Sequence, residues 1–478
     1  MSATEDTSRS AAVAPAVVAG VARQRAVVGV LSLSGVVVAL QQTLVVPILP
    51  DFAVALDVPS TTASWLVTAT LLTGAVATPL VGRMADMYGK RAMMLLCLTV
   101  MTVGAVISAL SSSFEGVVVG RVFQGFAVAL LPVGISLMRD VLPPDRLGVG
   151  VALMSGALGI GGMFGMPMAG VIHASLSWHW LFWVTAAVGV VMLVLLLWVV
   201  PESPVKSGGR FDQVGALLLS VSLTGLLLAV SKGGEWGWTS PTILGLVGIG
   251  LLTLAMWVPY ELRVPQPLVD LRTTTLRPVL VSNICAVLLG FAMFLSAYTA
   301  TQHLQAPVES GFGHGLSEAA SGLAMLPGGV AMLVLVPLSA RMTARWGART
   351  TLFAGAVVIA AGYLLRVLAE STVTVITVSA AVISGGVALT MAAMPVLITE
   401  AAPRDQTASA NSVNGLMRSV GTSSASAVGA AVLASSTLTV AGVTVPTLSA
   451  FHTMYLIGAG TSIAAAVIAV AVPMRSRA

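Results

Sequence analysis

The sequence predicts an all-α integral membrane protein of about 14 transmembrane helices, built as two related six-helix halves with two helices inserted between them. Three observations point there. Hydrophobic residues make up 57% of the 478 and charged residues only 9%, against roughly 45–50% and about 25% in soluble domains. The apolar residues are gathered into runs of about 20, the length that crosses the hydrocarbon layer as a helix. A loop pattern recurs at an offset of 258 residues, which makes the second half of the chain a relative of the first.

Residues 1–26 are small and polar and read as a disordered cytoplasmic tail. The apolar run that follows is too long for a signal peptide and has no A-x-A site, so it is expected to stay as the first span. The N-terminal half, 27–200, holds spans at 27–49, 62–82, 92–111, 116–138, 147–172 and 179–200. A linker at 201–278 carries the inserted spans 213–231 and 241–260. The C-terminal half, 279–472, holds spans at 279–301, 318–339, 351–369, 373–398, 408–434 and 450–472, and 473–478 form a second cytoplasmic tail. With both termini inside, 19 of the 23 Lys and Arg residues fall in tails and inner loops, as short cytoplasmic loops require. Only Lys232 falls in an outer loop, and Arg121, Arg366 and Arg418 lie within spans.

The loop after span 2 reads GRMADMYGKR and that after span 10 reads ARMTARWGAR, pairing Arg83, Met84, Gly89 and Arg91 with Arg341, Met342, Gly347 and Arg349. Repeated membrane halves are a transporter signature, with the substrate path between them. In the first loop Gly82 and Gly89 permit a tight turn and close helix approach, while Asp86 can cap a helix or pair with bases such as Lys90 and Arg91. Read this way the loop is a conformational latch; a solvated topogenic loop would account for Lys90 and Arg91 alone. Arg121 sits inside span 4 with Gln124, and an arginine there costs about 2.5–3.5 kcal/mol at mid-helix unless it faces the bundle and is partnered. Packing and proton coupling are both open roles for it. In span 5, Gly161 and Gly165 at four-residue spacing, with Ala169 one step on, strip one helix face so that a neighbour can come close, and Pro167 and Gly170 belong to the same packing segment. Arg418 places a second guanidinium near the midplane, about 15 Å along span 13.

These segments resemble the major facilitator superfamily and, within it, the fourteen-span drug:proton antiporter family, over nearly the whole chain after residue 26. GRMADMYGKR is similar to the loop signature G-x-x-x-D-R-x-G-R-R, with Met87 where the family has a base. GRVFQG is similar to R-x-x-Q-G, and Gly161 to Gly170 to the antiporter motif G-x-x-x-G-P-x-x-G-G, with Met166 in the proline place and Ala169 for a glycine. WHWLFW and NSVNGLMRSVG resemble further family patterns. The resemblance implies a plasma-membrane efflux permease that exchanges a small amphipathic drug, antibiotic or secondary metabolite for protons by alternating access.

One departure bears on that mechanism. The family's first span reads L-D-x-T-I-V-N-V-A-L-P, whereas this chain has LQQTLVVPILP, with Gln41 in the aspartate's place. Gln41 and Arg121 come within roughly 3 Å of equal depth, so a non-titrating Gln41–Arg121 hydrogen bond is expected. All 18 acidic residues map to tails, loops or span ends; Asp51, Glu115 and Glu400 are the acids closest to the spans. The five histidines fall near outer ends or loops, where a solvated role is expected. Candidate cavity residues are Gln42, Thr43, Trp65, Asn283, Tyr298, Met391 and Met394, a mostly apolar wall with a few polar contacts.

No phosphate-binding G-x-x-x-x-G-K-[ST] loop and no catalytic constellation occurs in the spans, so the chain reads as no enzyme and as needing no cofactor. Cys97 and Cys285 have no partner at metal-ligand spacing, so no metal is expected, and no basic block with interleaved aromatics suits nucleic acid. The expected partners are a small-molecule substrate, protons and membrane lipid; oligomeric state is not legible. A proton-independent facilitator or importer on the same fold, and a membrane sensor or assembly subunit, are the alternative readings.

Overall fold

A computed structural model describes residues 20–45, 48–369, 372–440 and 443–470. The expected tail at 473–478, and 1–19 of the expected tail at 1–26, lie outside them. The chain forms α1 (Val21–Thr43), α2 (Trp65–Tyr88), α3 (Lys90–Leu110), α4 (Phe114–Val141), α5 (Pro144–Ser175), α6 (His179–Val199), α7 (Gln213–Trp236) and α8 (Pro241–Glu261). It continues with α9 (Arg277–Gln305), α10 (Ala320–Trp346), α11 (Ala348–Leu368), α12 (Val373–Ala401), α13 (Thr407–Ser435) and α14 (Leu448–Ala469). Among the described residues twelve of these helices are long and apolar enough to cross a membrane, all but α5 and α13. A hairpin of β1 (Thr437–Val440) and β2 (Val443–Pro446) joins α13 to α14, with Thr437 opposite Pro446.

Local chemistry sets the helix ends. Ser113, Asp212, Ser240, Thr372 and Thr447 each accept a hydrogen bond from a first-turn N–H of the helix they precede, which satisfies donors that would otherwise be stranded. Pro144, Pro241 and Pro278 occupy first-turn positions, where the missing N–H costs nothing. Several boundaries differ from the sequence reading. The two repeated segments expected as loops are largely helical, since α2 runs on to Tyr88 and α10 to Trp346, which puts Gly82 inside a helix and leaves the turns to Gly89 and Gly347. α1 begins at Val21 and ends at Thr43, ahead of the proline pair Pro47 and Pro50, so Leu49–Ala55 is a separate short helix. Lys232, expected in an outer loop, lies within α7, before its last turn, with its side chain buried.

The internal repeat is visible in the packing. In the first half α1 packs on α5, α2 on α4, and α3 on both α4 and α6; eight helices later α9 packs on α13, α10 on α12, and α11 on both α12 and α14. Within each half small residues set the distance of approach. A side chain on Gly165 would collide with Thr43, and one on Gly161 would stand 2.5 Å from the Ala39 methyl, so α5 lies directly on α1. Between the halves, α2 meets α13 and α5 meets α10. The inserted pair α7–α8 packs through α7 against α2 and α13, beside one of these seams.

The α5–α10 seam is tight enough to bridge covalently. A Cβ on Gly156 would stand 3.3 Å from that of Val336, close to the range a disulfide needs. A Gly156→Cys, Val336→Cys double variant is expected to crosslink under mild oxidation and to run with altered mobility on a denaturing gel. A pair that stays reduced would mean the halves do not meet along these helices.

Candidate functional site

The expected latch residues converge at one end of the α2–α13 seam. A side chain on Gly82 would strike Ser412, with the Ser412 Cβ 2.7 Å away, so the α2 backbone lies against α13. This brings Asp86 to the N-terminus of α13, where Oδ1 accepts from the Ala408 N–H at 3.1 Å and Oδ2 from the Ser409 N–H at 2.8 Å. A carboxylate at this end of a helix meets two unsatisfied donors and the positive end of the helix dipole. Lys90 is fully buried, 3.7 Å from Asp86 Oδ1 and in direct contact with Asp140, whose Oδ2 also accepts from the Ser203 hydroxyl at 2.5 Å. Arg139 of α4 reaches across to the Ala402 carbonyl at 3.2 Å and the Thr407 hydroxyl at 2.6 Å.

Gly89 turns the chain with φ of 126°, and its missing side chain leaves room for Glu202, which lies 2.8 Å from where a Cβ would be. Glu202 caps α3 by accepting from the Arg91 N–H at 3.0 Å and the Ala92 N–H at 3.1 Å, while the Arg91 guanidinium donates to the Leu197 carbonyl. Sequence reasoning missed Arg139, Asp140 and Glu202. All three lie in segments read only as span ends and linker.

Arg121 is buried in the first half. Its Nε donates to the Leu66 carbonyl at 2.8 Å, and Nη1 to the Gln124 amide oxygen at 2.7 Å and the Gln41 backbone carbonyl at 3.1 Å. The expected side-chain bond between Gln41 and Arg121 is therefore corrected to a backbone one. α1 ends two residues after Gln41, and its last carbonyls lack intrahelical partners, so the guanidinium takes one of them. The Gln41 amide is buried with neither its nitrogen nor its oxygen partnered. It borders a cavity of about 20 Å³ with Leu44, Met168 and Thr185, enough for one water.

Arg418 lines a second cavity, between the halves. Leu131, Pro132 and Ile135 of α4 and Ser155 of α5 form one side; Met391 and Pro395 of α12 and Asn411, Asn414, Gly415 and Arg418 of α13 form the other. Its volume is about 20 Å³, room for one water. Ser155 donates to the Met391 carbonyl at 3.1 Å, across the seam. Asn414 donates to the Asn283 side-chain oxygen at 3.1 Å, so Asn283 holds a residue of the cavity wall without lining the cavity itself.

The remaining expected cavity residues are placed as follows. Met391 borders the cavity between the halves, while Met394 is buried in the main core. Thr43 returns its hydroxyl to the Ala39 carbonyl at 2.9 Å in the α1–α5 seam. Trp65 faces α7, its ring 6.2 Å from that of Trp236 and 5.1 Å from Lys232 Nζ. Tyr298 stacks on Phe294, with centroids 6.0 Å apart. Gln42 is half-buried, and Asp51 and Glu115 are exposed. Nothing lies within 4 Å of where a Gly170 side chain would be, and the Pro167 side chain lies outside what is described.

The solvated role expected of the histidines is corrected for His303. It is fully buried, with Nδ1 2.7 Å from the Tyr455 hydroxyl and Nε2 unpartnered. The Arg366 guanidinium lies 5.5 Å from the Tyr455 ring and donates to the Ser379 hydroxyl at 2.6 Å and the Ser296 carbonyl at 3.2 Å. His303 stands near the end of α9, and the chain beyond folds Phe312 and His314 over it, so a count of depth along the helix cannot reveal its burial. Among the described residues no group of three metal-ligating side chains occurs.

The sequence profile of the Major Facilitator Superfamily matches residues 31–426 and, overlapping, 280–478. The chain belongs to this superfamily. It is similar to the lincomycin resistance protein LmrB of Listeria monocytogenes, 25% identical over 346 residues that cover 72% of each chain. It is also similar to the tetracenomycin C resistance and export protein of Streptomyces glaucescens, 28% identical over 326 residues covering 68% of this chain and 60% of that one. The matches thus span 72% and 60% of the length of these two relatives, and 59% of the length of a third, the MFS-type transporter YhcA of Bacillus subtilis, to which the chain is 25% identical over 320 residues, 67% of its own length. The solved structure of the proton:xylose symporter XylE shares the fold, with a TM-score of 0.64, 16% identity, and coverage of 93% of this chain and 95% of that one. With twelve apolar helices, this superfamily member is a multi-pass membrane protein.

Two substitutions test the geometry. Asp86→Ala strands the Ala408 and Ser409 N–H groups and leaves Lys90 to Asp140 alone, at a cost of about 1–2 kcal/mol to the closed seam. A Ser412→Cys reporter, covered by Gly82 in the closed form, is then expected to react with maleimide several-fold faster, while buried Cys97 and Cys285 stay silent. An unchanged rate would show that Asp86 does not hold the seam. Arg121→Met leaves the Leu66 and Gln41 carbonyls and the Gln124 amide unpaired in a dry interior, and is expected to cost about 2–4 kcal/mol. The check is a lowered melting temperature of the purified protein.

Proposed function

We propose that this superfamily member is a secondary active exporter of a small amphipathic compound, exchanging it for protons by alternating access. The observation that carries the reading is the Asp86 cap on α13, a contact between the halves that can open without breaking either half. The glycine approach at Gly82 and the Arg139 contacts lie at the same end, so rocking of one half on the other would release them together. Export is favoured over import by the relatives, a lincomycin resistance protein and a tetracenomycin C resistance and export protein.

In this reading α5 and α13 also cross the membrane, giving fourteen spans. α13 has reduced hydropathy because it carries Asn411, Ser412, Asn414 and Arg418, and those residues would face protein rather than lipid. Both termini and the Asp86 end are then cytoplasmic, which puts Arg83, Arg91, Arg341, Arg345 and Arg349 inside. The protein would reside in the plasma membrane. Gly82, Asp86, Gly89, Lys90 and Arg91 form the latch, Gly161 and Gly165 pack α5 on α1, and Arg121 with Gln124 braces the first half.

Gln41 cannot carry a proton, so the carrier lies elsewhere; Asp51, Glu115 and buried His303 are the candidates. The same glutamine favours the second reading, a facilitator without protons. Inverted vesicles with an imposed pH gradient separate the two. A proton antiporter accumulates substrate only while the gradient stands and dissipates that gradient when substrate is added. Uptake indifferent to the gradient would leave the facilitator, and transport in the opposite sense would overturn export. His303→Gln is expected to abolish coupling if His303 carries the proton and to spare it if Asp51 or Glu115 does.

A further inference from the structure

Arg121 and Arg418 lie well inside their helices and Arg366 is buried in the last turn of α11; Arg121 and Arg366 each have strong acceptors. Arg121 has the Leu66 and Gln41 carbonyls and the Gln124 amide oxygen; Arg366 has the Ser296 carbonyl, the Ser379 hydroxyl and the faces of Tyr363 and Tyr455. Arg418 differs. Its hydrogen-bond partner is the Met391 thioether at 3.8 Å, a weak acceptor. No described carboxylate pairs with it, and its side chain remains partly accessible on the cavity between the halves. It stands eleven residues from the start of a 29-residue helix, about 16 Å along it, so water outside the bundle is distant.

A cation held there without a counter-charge costs stability, and the neighbouring residues show why it is kept. Asn411, Asn414 and Arg418 follow one another at three and four residues and share a face of α13. The Asn411 side-chain oxygen is buried and unpartnered, and Ser155 faces it from the opposite half, donating to the Met391 carbonyl across the seam. The Asn411 and Asn414 amides already donate to the Thr407 and Ser282 carbonyls, so the weakly partnered charge of Arg418 beside an apolar wall from Ile135 and Met391 is what suits a ligand with an anionic head and an apolar body. The cavity is bounded by α4 and α5 on one side and by α12 and α13 on the other, so any parting of the halves enlarges it.

We propose that Arg418 is the charge-recognition residue of the substrate site and that the transported compounds are amphipathic anions, such as aryl carboxylates. This deepens the export reading and rests on it for direction alone. The test measures binding of radiolabelled 2-naphthoate to the full-length protein in nanodiscs. Unlabelled 2-naphthoate is expected to compete at least tenfold better than 2-naphthamide, which has the same body without the charge, or the lipophilic cation tetraphenylphosphonium. Arg418→Gln is expected to weaken 2-naphthoate binding tenfold or more, and Arg418→Lys to restore part of it. The wild-type competition needs no variant to fold.

Equal competition by the amide or the cation, undiminished binding to Arg418→Gln, or no 2-naphthoate binding would each overturn the proposal. Displacement by chloride or sulfate at concentrations as low as those of 2-naphthoate itself would reassign the site to an inorganic anion and overturn it too. Export is scored separately, by gradient-driven uptake of a cationic dye and of 2-naphthoate into inverted vesicles. Dye uptake without naphthoate binding keeps the exporter and removes the anion site. Naphthoate binding with no uptake of either compound keeps the site and removes the exporter.

Discussion

A membrane interior supplies no hydrogen-bond partner, so every polar group carried into it must be satisfied by the protein itself. Most of the architecture follows from how few such groups there are and where each finds its partner. Arg121 draws the end of α1, the first turn of α2 and Gln124 of α4 to one point, and so fixes the relative height of three helices. Arg366 does the same for α9, α11 and α12, through the Ser296 carbonyl and the Ser379 hydroxyl. Lys232 ties the inserted α7 to the start of α2 by donating to Ser64 and Glu235, both at 2.7 Å. Polar groups in a hydrocarbon solvent act here as registers for helices whose apolar faces, alike on lipid and on protein, could slide.

The contacts between the halves are of another kind. Within a half, guanidinium groups donate to neighbouring acceptors; across the seam, the Asp86 carboxylate accepts from backbone N–H groups and Arg139 donates to a carbonyl and a hydroxyl. Water can replace each of these when the seam opens, because all sit near one end of the bundle. The glycines supply the remainder: at Gly82 and Gly156 no side chains interdigitate that would have to be drawn past one another. A seam made of helix-terminus electrostatics and bare backbone is a surface that can separate and rejoin.

The fold was largely legible in the sequence because its causes are periodic and compositional. Span length, the 258-residue repeat and the Lys/Arg distribution each report on the bilayer rather than on particular contacts. Site residues divide by how local their partners are. Asp86 and Gly89 could be read because a turn and a helix cap are short-range devices. Arg121 and Gln41 were rightly placed at similar depth, yet the bond runs to the Gln41 carbonyl, since depth does not say whether a side chain or a backbone group faces a neighbour. His303 was misread because its burial comes from Phe312, His314 and Phe451, supplied by a loop and another helix. Trp65 was assigned to a cavity on the strength of its position in α2, but the inserted α7 occupies that side of the helix.

The two departures at the centre of the molecule are connected. Where the resembled family has an aspartate in the first span, this chain has neutral Gln41, and among the described residues no acid replaces it beside Arg121. The interior consequently holds three guanidinium groups, two enclosed by neutral acceptors and one open to the cavity between the halves. Neutral acceptors stabilise a guanidinium but leave its charge in place, and a low-dielectric wall lets that charge act over a longer distance than it would in water. A positive potential in the cavity would follow, and it would favour an anion there and oppose a bare cation. An aspartate at position 41 would place a negative charge at the Arg121 end of the first half and cancel part of that field. On this view the glutamine is more than a lost proton carrier: it keeps the interior positive, and Arg418 is where that charge meets a ligand.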